Sequence, residues 1–322
     1  MNRRTFLSGL TLGTLAAPLT VEAQQAGKVH RVGMMTDRQD HIEALRQGLR
    51  ELGWVDGQNV AIESRGSDGR FARLPEAAAE LVRLKVDVIV CGGSESVQAA
   101  KAATRTIPIV MTFVGDPIGQ GFIVSYARPG GTITGLSNLS HDLDTKRLEL
   151  LKEVAPRITR IAVLWNPPQP AHREALKNLE HAARALGVQL QPIALNGAED
   201  LDGAFAAIRR EGAGAVTMLG SGLHVANFKR IAELALKAKL LTVAWQRAFL
   251  GVGGLMMYGA NEMDLVRRAA SYVDRIMKGA NPADLPVERP TKFELIINLK
   301  TARALGLTIP PAVLLRADQV LE

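Results

Sequence analysis

The alternation of short β-branched runs with amphipathic helices constrains the fold of this chain more than any other feature of its sequence. From residue 28 onward, strand-like segments recur between helix-like segments rich in Ala and Leu. The first series predicts strands at 31–36, 60–65, 86–91 and 107–113, with helices at 41–52, 71–84 and 95–104. Alternation at this spacing is typical of βαβ units that build a parallel sheet.

The same pattern occurs a second time after a break at residues 128–131, which read Arg-Pro-Gly-Gly. A short strand at 132–136 and a helix at 142–154 come first, followed by strands at 160–165, 188–194, 215–219 and 241–245, and helices at 172–186, 201–210 and 227–239. A chain of this length suggests about two domains. We therefore predict two α/β lobes, at 28–137 and 138–259, each with a parallel sheet.

The C-terminal part departs from this rhythm. It predicts a helix at 260–278, ended by a Gly-Ala-Asn-Pro stretch, then a strand at 293–299 and a short helix at 300–305. This trailing segment is too small for a third domain. We expect residues 260–322 to cross back and brace both lobes.

The first residues have the three parts of an export signal. Arg3 and Arg4 supply the positive charge, residues 7–19 are apolar, and small residues lead up to Ala23. The start also resembles a twin-arginine signal. We expect cleavage of a signal peptide at 1–23 and a soluble protein in the periplasm; the alternative is an anchor helix that is never cut.

Composition narrows the functional classes. The single cysteine, Cys91, allows no disulfide within the chain, and it is more plausibly an inert core thiol than a nucleophile. The net charge of +7 comes from Lys and Arg scattered over helical faces, with no basic run interleaved with aromatics. We therefore expect no nucleic-acid partner.

Candidate ligand-binding residues follow the predicted strands, because ligands of parallel sheets bind beyond the carboxyl ends of the strands. In the first lobe they are Thr36, Asp37, Gly93, Ser94, Ser96, Phe113 and Asp116. In the second lobe they are Trp165, Asn166, Ser221 and Trp245, with Tyr258 at the expected crossover.

Three of these positions have two interpretations. The loop that ends in Gly93 and Ser94 suits an anionic group, but Ser94 alone is explained equally well as a helix cap. Asp116 precedes a proline, so it is either a turn residue or a ligand to an amine. Ser221, between two glycines, has the same ambiguity as Ser94.

The aromatic candidates are also open to two interpretations. Trp165 and Trp245 end strands of the second lobe, and Tyr258 lies near a crossover. Around a cleft they would stack on a planar ring or hold a cation. The alternative is that they fill the core of the lobe or the hinge.

Catalytic and cofactor motifs are missing from the sequence. It contains no Walker motif, no dinucleotide-binding glycine motif after a strand and no nucleophile elbow. Its six histidines lack the spacing of metal ligands. We expect no cofactor, no metal and no enzymatic activity.

Several stretches resemble a known family. They are ALRQGLRELGW at 44–54, TIPIV at 106–110, GDPIG at 115–119, ARPGG at 127–131, PADLPVE at 282–288, NLKTA at 298–302 and ALGLTIP at 304–310. They resemble the ABC-transporter substrate-binding proteins of the tryptophan/tyrosine-binding type, which have the type I periplasmic-binding fold. The likeness covers essentially the whole chain after the signal.

The resemblance implies two Rossmann-like lobes joined by a three-strand hinge, with the ligand in the cleft between them. It implies that a first set of residues faces the cleft from the first lobe or hinge: Ser94, Ser96, Asp116 and Asn138. It implies that Asn166, Ser221 and Trp245 face it from the second lobe.

We therefore expect a periplasmic solute-binding protein that captures an aromatic amino acid or another small carboxylate by lobe closure. It would act as a monomer and deliver the ligand to an ABC transporter permease and ATPase complex. One alternative is a sensor that presents the ligand to a membrane receptor. A weaker one is an exported hydrolase using Ser94 or Ser221, which would lack an orienting histidine.

Overall fold

The computed structural model describes residues 29–139 and 143–322, so the predicted signal peptide lies outside the described residues. The first lobe contains β1 (His30–Met35), α1 (Gln39–Glu51), β2 (Val60–Arg65), α2 (Leu74–Arg83), β3 (Val88–Gly92), α3 (Ser94–Ala103), β4 (Ile109–Val114) and β5 (Ile133–Ser137). A short 3₁₀ turn, Phe71–Arg73, precedes α2.

The sheet of the first lobe has the strand order β2-β1-β3-β4-β5, and every pairing in it is parallel. Its central strands are buried on both faces, with Val32, Val88 and Val110 completely inaccessible. Continuous β-branched runs suit such strands, because helices cover both sides of the sheet.

The second lobe begins with α4 (Asp144–Val154), β6 (Arg160–Trp165), α5 (His172–Ala185), β7 (Gln189–Ala194), α6 (Leu201–Arg210), β8 (Ala215–Met218), α7 (Gly222–Ala226), α8 (Phe228–Lys237), β9 (Leu241–Ala244), α9 (Ala248–Gly251) and β10 (Met256–Ala260). The C-terminal part adds α10 (Glu262–Met277), β11 (Phe293–Asn298), α11 (Leu299–Leu305), α12 (Pro311–Leu314) and β12 (Gln319–Leu321).

The second sheet has the order β12-β11-β10-β9-β8-β6-β7. One pairing departs from the expected parallel arrangement, because β11 runs antiparallel to β10. The chain leaves β10 for the first lobe and re-enters the second lobe at β11 in the opposite direction. Because Ala260 is the last residue of β10, the helix predicted at 260–278 begins only at Glu262.

The C-terminal segment divides between the lobes. Helix α10 packs on α1 in the first lobe, whereas β11, α11 and β12 complete the second. The two helices approach so closely that a β-carbon at Gly48 would lie 2.3 Å from the carbonyl oxygen of Arg267. The side chain of Asn261 caps α10 by accepting a hydrogen bond from the N–H of Asp264.

Within the described ranges the chain passes between the lobes at three places: from β5 to α4, from β10 to α10, and before β11. A buried ion pair between Arg147 and Asp144 lies at this hinge, and Arg147 Nε donates to the carbonyl oxygen of Tyr258 at 2.8 Å. This contact ties the start of α4 to β10. In the part of the chain that the structure covers, no helix is both long and apolar enough to span a membrane.

Candidate ligand-binding site

A cavity of about 480 Å³ lies between the lobes, where the carboxyl ends of both sets of strands meet. Nine of the residues predicted from the sequence line it: Thr36, Asp37, Gly93, Ser94, Ser96, Phe113, Asn138, Ser221 and Trp245. Its volume is within the range of about 300–1,000 Å³ that is typical of small-molecule sites.

The loop after β1 forms one wall of the cavity. Asp37 accepts hydrogen bonds from the backbone N–H groups of Ser67 and Asp68 at 3.0 and 3.1 Å, and so holds the loop after β2. Thr36 Oγ1 accepts from the N–H of Arg38 at 3.1 Å. Both side chains therefore shape this wall, and Asp37 adds a carboxylate to it.

The start of α3 forms a second wall. Gly93 precedes the helix with a φ of +80°, a conformation that few residues other than glycine adopt. The first N–H of this helix with a backbone partner is that of Val97, which donates to the carbonyl of Gly93 at 3.2 Å. The N–H groups of Ser94 and Ser96 thus belong to the helix end that favours an anion.

Phe113 forms the floor between these walls. Its φ of +40° is unusual for an aromatic residue, and the strained backbone turns its ring over Gly92. A β-carbon at Gly92 would lie 2.3 Å from the Phe113 ring. The ring centroids of Phe113 and His41 are 5.4 Å apart.

Two further aromatic rings reach the cavity. Phe71, in the 3₁₀ turn of the first lobe, faces the second lobe at Gly222. Trp245 follows β9, and its ring is supported edge-on by Phe228 at 5.4 Å. Rings from both lobes therefore line one hollow, an arrangement that suits a flat apolar ligand body.

A charged network joins the lobes near the hinge. Glu262, the first residue of α10, accepts hydrogen bonds from Arg38 Nη1 at 2.8 Å and from Gln246 Nε2 at 2.9 Å. Burial raises the pKa of the Glu262 carboxyl, but His41 and the guanidinium of Arg38 lower it by more. The pKa therefore lies below its usual value and the group is ionised at neutral pH.

A second contact between the lobes lies at the other side of the cavity. Glu95 Oε1, on α3, accepts from the N–H of Gly222 at 2.6 Å and from Gln169 Nε2 at 3.1 Å. Both donors belong to the second lobe. With the lobes bridged at two places, the molecule is in a closed conformation.

Two histidines support the turn that carries Ser221. His224 Nδ1 donates to the carbonyl of Leu219 at 2.6 Å, and His172 Nε2 donates to the carbonyl of Gly220 at 3.0 Å. Ser221 itself caps α7, since its Oγ accepts from the N–H of His224 at 3.3 Å. Ser221 thus has the capping role that the sequence allowed, and it also lines the cavity.

Two polar candidates lie outside the cavity because they hold local backbone. Asp116 accepts from the N–H of Gly119 at 2.8 Å, which makes it a turn residue. The Asn166 side chain is buried and donates to the carbonyl of Leu195 at 2.8 Å, joining the ends of neighbouring strands.

Two aromatic candidates also lie outside it. Trp165 packs on the core of the second lobe with Arg173 over its ring, 6.0 Å from the centroid. Tyr258 lies beside the same core and stacks on Phe293 at 6.5 Å. Both match the alternative interpretation, in which the aromatic residues fill the core and hinge.

The candidate ligand-binding residues leave out several residues that line the cavity: Arg38, His41, Phe71, Glu95, Gln246 and Glu262. Arg38, Glu95 and Gln246 lie in the segments that follow strands, so their position was the available signal. Phe71 was assigned to a helix. His41 and Glu262 lie in the first turns of α1 and α10. These helices pack on each other but are far apart in the sequence, so no local pattern indicates the two residues.

The single cysteine lies in the core and not among the residues that line the cavity. Cys91 is fully buried, with its Sγ 3.6 Å from Met35 Sδ, and burial raises the pKa of its thiol far above the usual value. Over the two described ranges, no cluster of three or more His, Cys, Asp or Glu side chains is arranged to hold a metal.

Similar structures share this architecture. A conserved domain protein from Vibrio cholerae is 28% identical with a TM-score of 0.82, covering 92% of this chain and all of that one (100%). A protein from Streptococcus pneumoniae in complex with L-Trp is 24% identical with a TM-score of 0.81 and the same coverage. A ligand-free, open substrate-binding protein from Clostridium difficile, 22% identical, has a TM-score of 0.68 and covers 91% of this chain and 99% of its own.

Sequence comparison points the same way. A tyrosine-binding protein from Clostridioides difficile strain R20291 is 26% identical over 265 residues, which make up 81% of this chain and 75% of that protein. The family model described as ABC transporter substrate binding protein matches residues 36–321. With two sheets that meet at one cleft, the chain belongs to the ABC transporter substrate-binding protein family and has the type I periplasmic-binding fold.

Proposed function

We propose that this protein captures an aromatic amino acid between its lobes and delivers it to an ABC importer. The observation that carries the proposal is the set of three rings, Phe71, Phe113 and Trp245, around a cavity that also contains the start of α3. The tyrosine-binding relative and the L-Trp complex support the same ligand class.

The charges around the cavity suit a zwitterion. The N–H groups at Ser94 and Ser96 would hold the ligand carboxylate, because a helix start carries partial positive charge. Asp37, Glu95 and Glu262 contribute carboxylates, against the single guanidinium of Arg38 among the residues that line the cavity. This excess of negative charge favours a ligand that also carries an ammonium group.

Closure would make binding complete. Glu95 contacts the second lobe only when the lobes are together, so its bonds to Gly222 and Gln169 stabilise the closed state. A ligand that touches both walls would add further contacts that exist only in the closed state. It would therefore shift the open–closed equilibrium toward that state. The closed form is then the one that docks on the permease.

The remaining expectations complete the proposal. The protein is exported through its N-terminal signal and acts in the periplasm as a monomer. Its partners are the permease and ATPase of the transporter, and it carries out no catalysis. The absence of catalysis is supported by the two serines of the hydrolase alternative, since Ser94 starts a helix and Ser221 caps one.

Isothermal titration of the purified protein with tyrosine, tryptophan, phenylalanine and leucine tests the ligand class. We expect binding of aromatic amino acids and weaker binding of leucine. The Phe113→Leu variant should bind the aromatic ligand about tenfold more weakly, through lost stacking and contact area. Trp165→Leu is the matched control, since Trp165 lies outside the cavity. Equal binding of leucine, or no effect of Phe113→Leu, would contradict the proposal.

A further inference from the structure

His41 has a polar atom that the fold leaves unsatisfied. The residue is 5% exposed and lines the cavity. Its Nδ1 lies 3.4 Å from Thr36 Oγ1, whereas its Nε2 is buried without a hydrogen-bond partner among the described residues. A buried unsatisfied ring nitrogen costs free energy, so its position beside a ligand cavity needs an explanation.

Glu262 lies opposite this atom. Its Oε2 is 3.8 Å from His41 Nε2, which is too long for a hydrogen bond. Each of its carboxylate oxygens accepts one bond, from Gln246 and from Arg38, and each has capacity for a second. An ionised carboxylate accepts hydrogen bonds and donates none.

The pair borders the floor of the site. The rings of His41 and Phe113 lie 5.4 Å apart, so a ligand ring stacked on Phe113 would have its edge beside His41. The start of α3, where the ligand carboxylate would bind, follows β3, whereas His41 lies in α1. The polar head of the ligand and the edge of its ring would therefore contact different elements of the fold.

We propose that His41 and Glu262 form a polar subsite that hydrogen-bonds a donor on the ligand's aromatic ring, either a phenol hydroxyl or a ring N–H. This inference rests on the proposed function and adds to it the feature that sets specificity. A ring without a donor would leave His41 Nε2 unsatisfied after water is excluded. The site should therefore reject it, as sites built for a hydrogen bond do.

Two matched ligand pairs test the subsite by titration: tyrosine with phenylalanine, and tryptophan with 1-methyltryptophan. In the unaltered protein, the donor-bearing ligand of at least one pair should bind about 10- to 100-fold more tightly. His41→Leu should bring that ratio close to one while binding of the donor-free ligand persists. His41→Gln should restore part of the ratio, and His30→Leu, a first-lobe histidine outside the cavity, should leave it unchanged.

Further outcomes separate this inference from the proposed function. Equal binding within both pairs, or a ratio that His41→Leu leaves intact, would overturn the subsite while ligand capture stands. The amine-free acids 3-(4-hydroxyphenyl)propanoate and 3-phenylpropanoate provide the last check. If His41→Leu removes the preference for the α-amine rather than for the ring donor, the pair holds the ammonium and the subsite is wrongly assigned. Failure of every aromatic amino acid to bind would overturn both proposals.

Discussion

At the scale of single residues, burial fixes the protonation of the histidines under the cavity. His224 is completely inaccessible, and burial lowers its pKa to about 4. His172 stacks on it at 6.4 Å and accepts a hydrogen bond from the N–H of Asn166, which requires an unprotonated Nδ1. The turn that carries Ser221 at the edge of the cavity thus rests on two neutral imidazoles.

Acid should therefore destabilise the protein through His224. An unfolded histidine has a pKa of about 6.5, so between that pH and about 4 the unfolded chain binds a proton that the folded chain does not. The contribution is fully present above pH 6.5 and is lost as the pH falls through this window, by on the order of 3 kcal/mol. Denaturant unfolding at pH 7 and pH 4.5 should show a smaller loss for His224→Gln than for the unaltered protein.

The exposed residue His181 offers a matched control for this experiment. The loss of unfolding free energy between pH 7 and pH 4.5 should be smaller in His224→Gln than in His181→Gln. Identical pH dependence in His224→Gln and the unaltered protein would show that His224 is protonated in the folded state at the lower pH.

At the scale of elements, the packing of α10 on α1 holds the C-terminal segment to the first lobe. Gly48→Ala would place a β-carbon against the carbonyl of Arg267, so it should destabilise the protein by about 1–3 kcal/mol. Gly203→Ala, on an exposed part of α6 with no atom near its added β-carbon, should instead stabilise it by up to about 1 kcal/mol. Thermal unfolding of both variants checks the opposite signs; equal shifts would contradict the close approach of the helices.

Most elements could be predicted from the sequence because strand-like and helix-like segments alternate along it. β2 and β6 have the predicted bounds, 60–65 and 160–165. The sequence indicates β10 less clearly, because neither Met256 nor Met257 has a β-branched side chain. The antiparallel direction of β11 relative to β10 follows from the path of the chain through the first lobe. That path is a tertiary property, which a local sequence pattern does not indicate.

The candidate site was predictable only in part, because strand ends converge but side chains alternate between faces. Trp165 and Trp245 both end predicted strands of the second lobe. Trp165, still within β6, turns into the core, whereas Trp245 lies one residue past β9 and reaches the cavity. The pairing of His41 with Glu262 brings together residues far apart in the chain, and no spacing motif indicates it.

At the scale of the whole molecule, the proposed capture of ligand depends on how the lobes meet. The lobes approach closely at Gly222, since a β-carbon there would lie 2.9 Å from both the Glu95 carboxyl carbon and Phe71 Cε1. The backbone N–H of Gly222 also donates a hydrogen bond to Glu95 Oε1 at 2.6 Å. A side chain at this turn would therefore have to displace Glu95 or Phe71 for the lobes to meet as they do here.

Gly222→Val should block closure while leaving each lobe folded. The apparent affinity for the aromatic ligand should fall by at least about tenfold, in proportion to the fraction of molecules able to close. Gly203→Val, in an open part of the same lobe, should bind like the unaltered protein. Calorimetric titration measures both, and unchanged affinity in Gly222→Val would mean that the lobes do not meet at this turn when ligand binds.

Small-angle X-ray scattering of the purified protein, with and without a saturating aromatic amino acid, tests capture by lobe closure most directly. The radius of gyration should fall on saturation in the unaltered protein and should fall less in Gly222→Val. Tight binding with no change in the radius of gyration would contradict capture by closure.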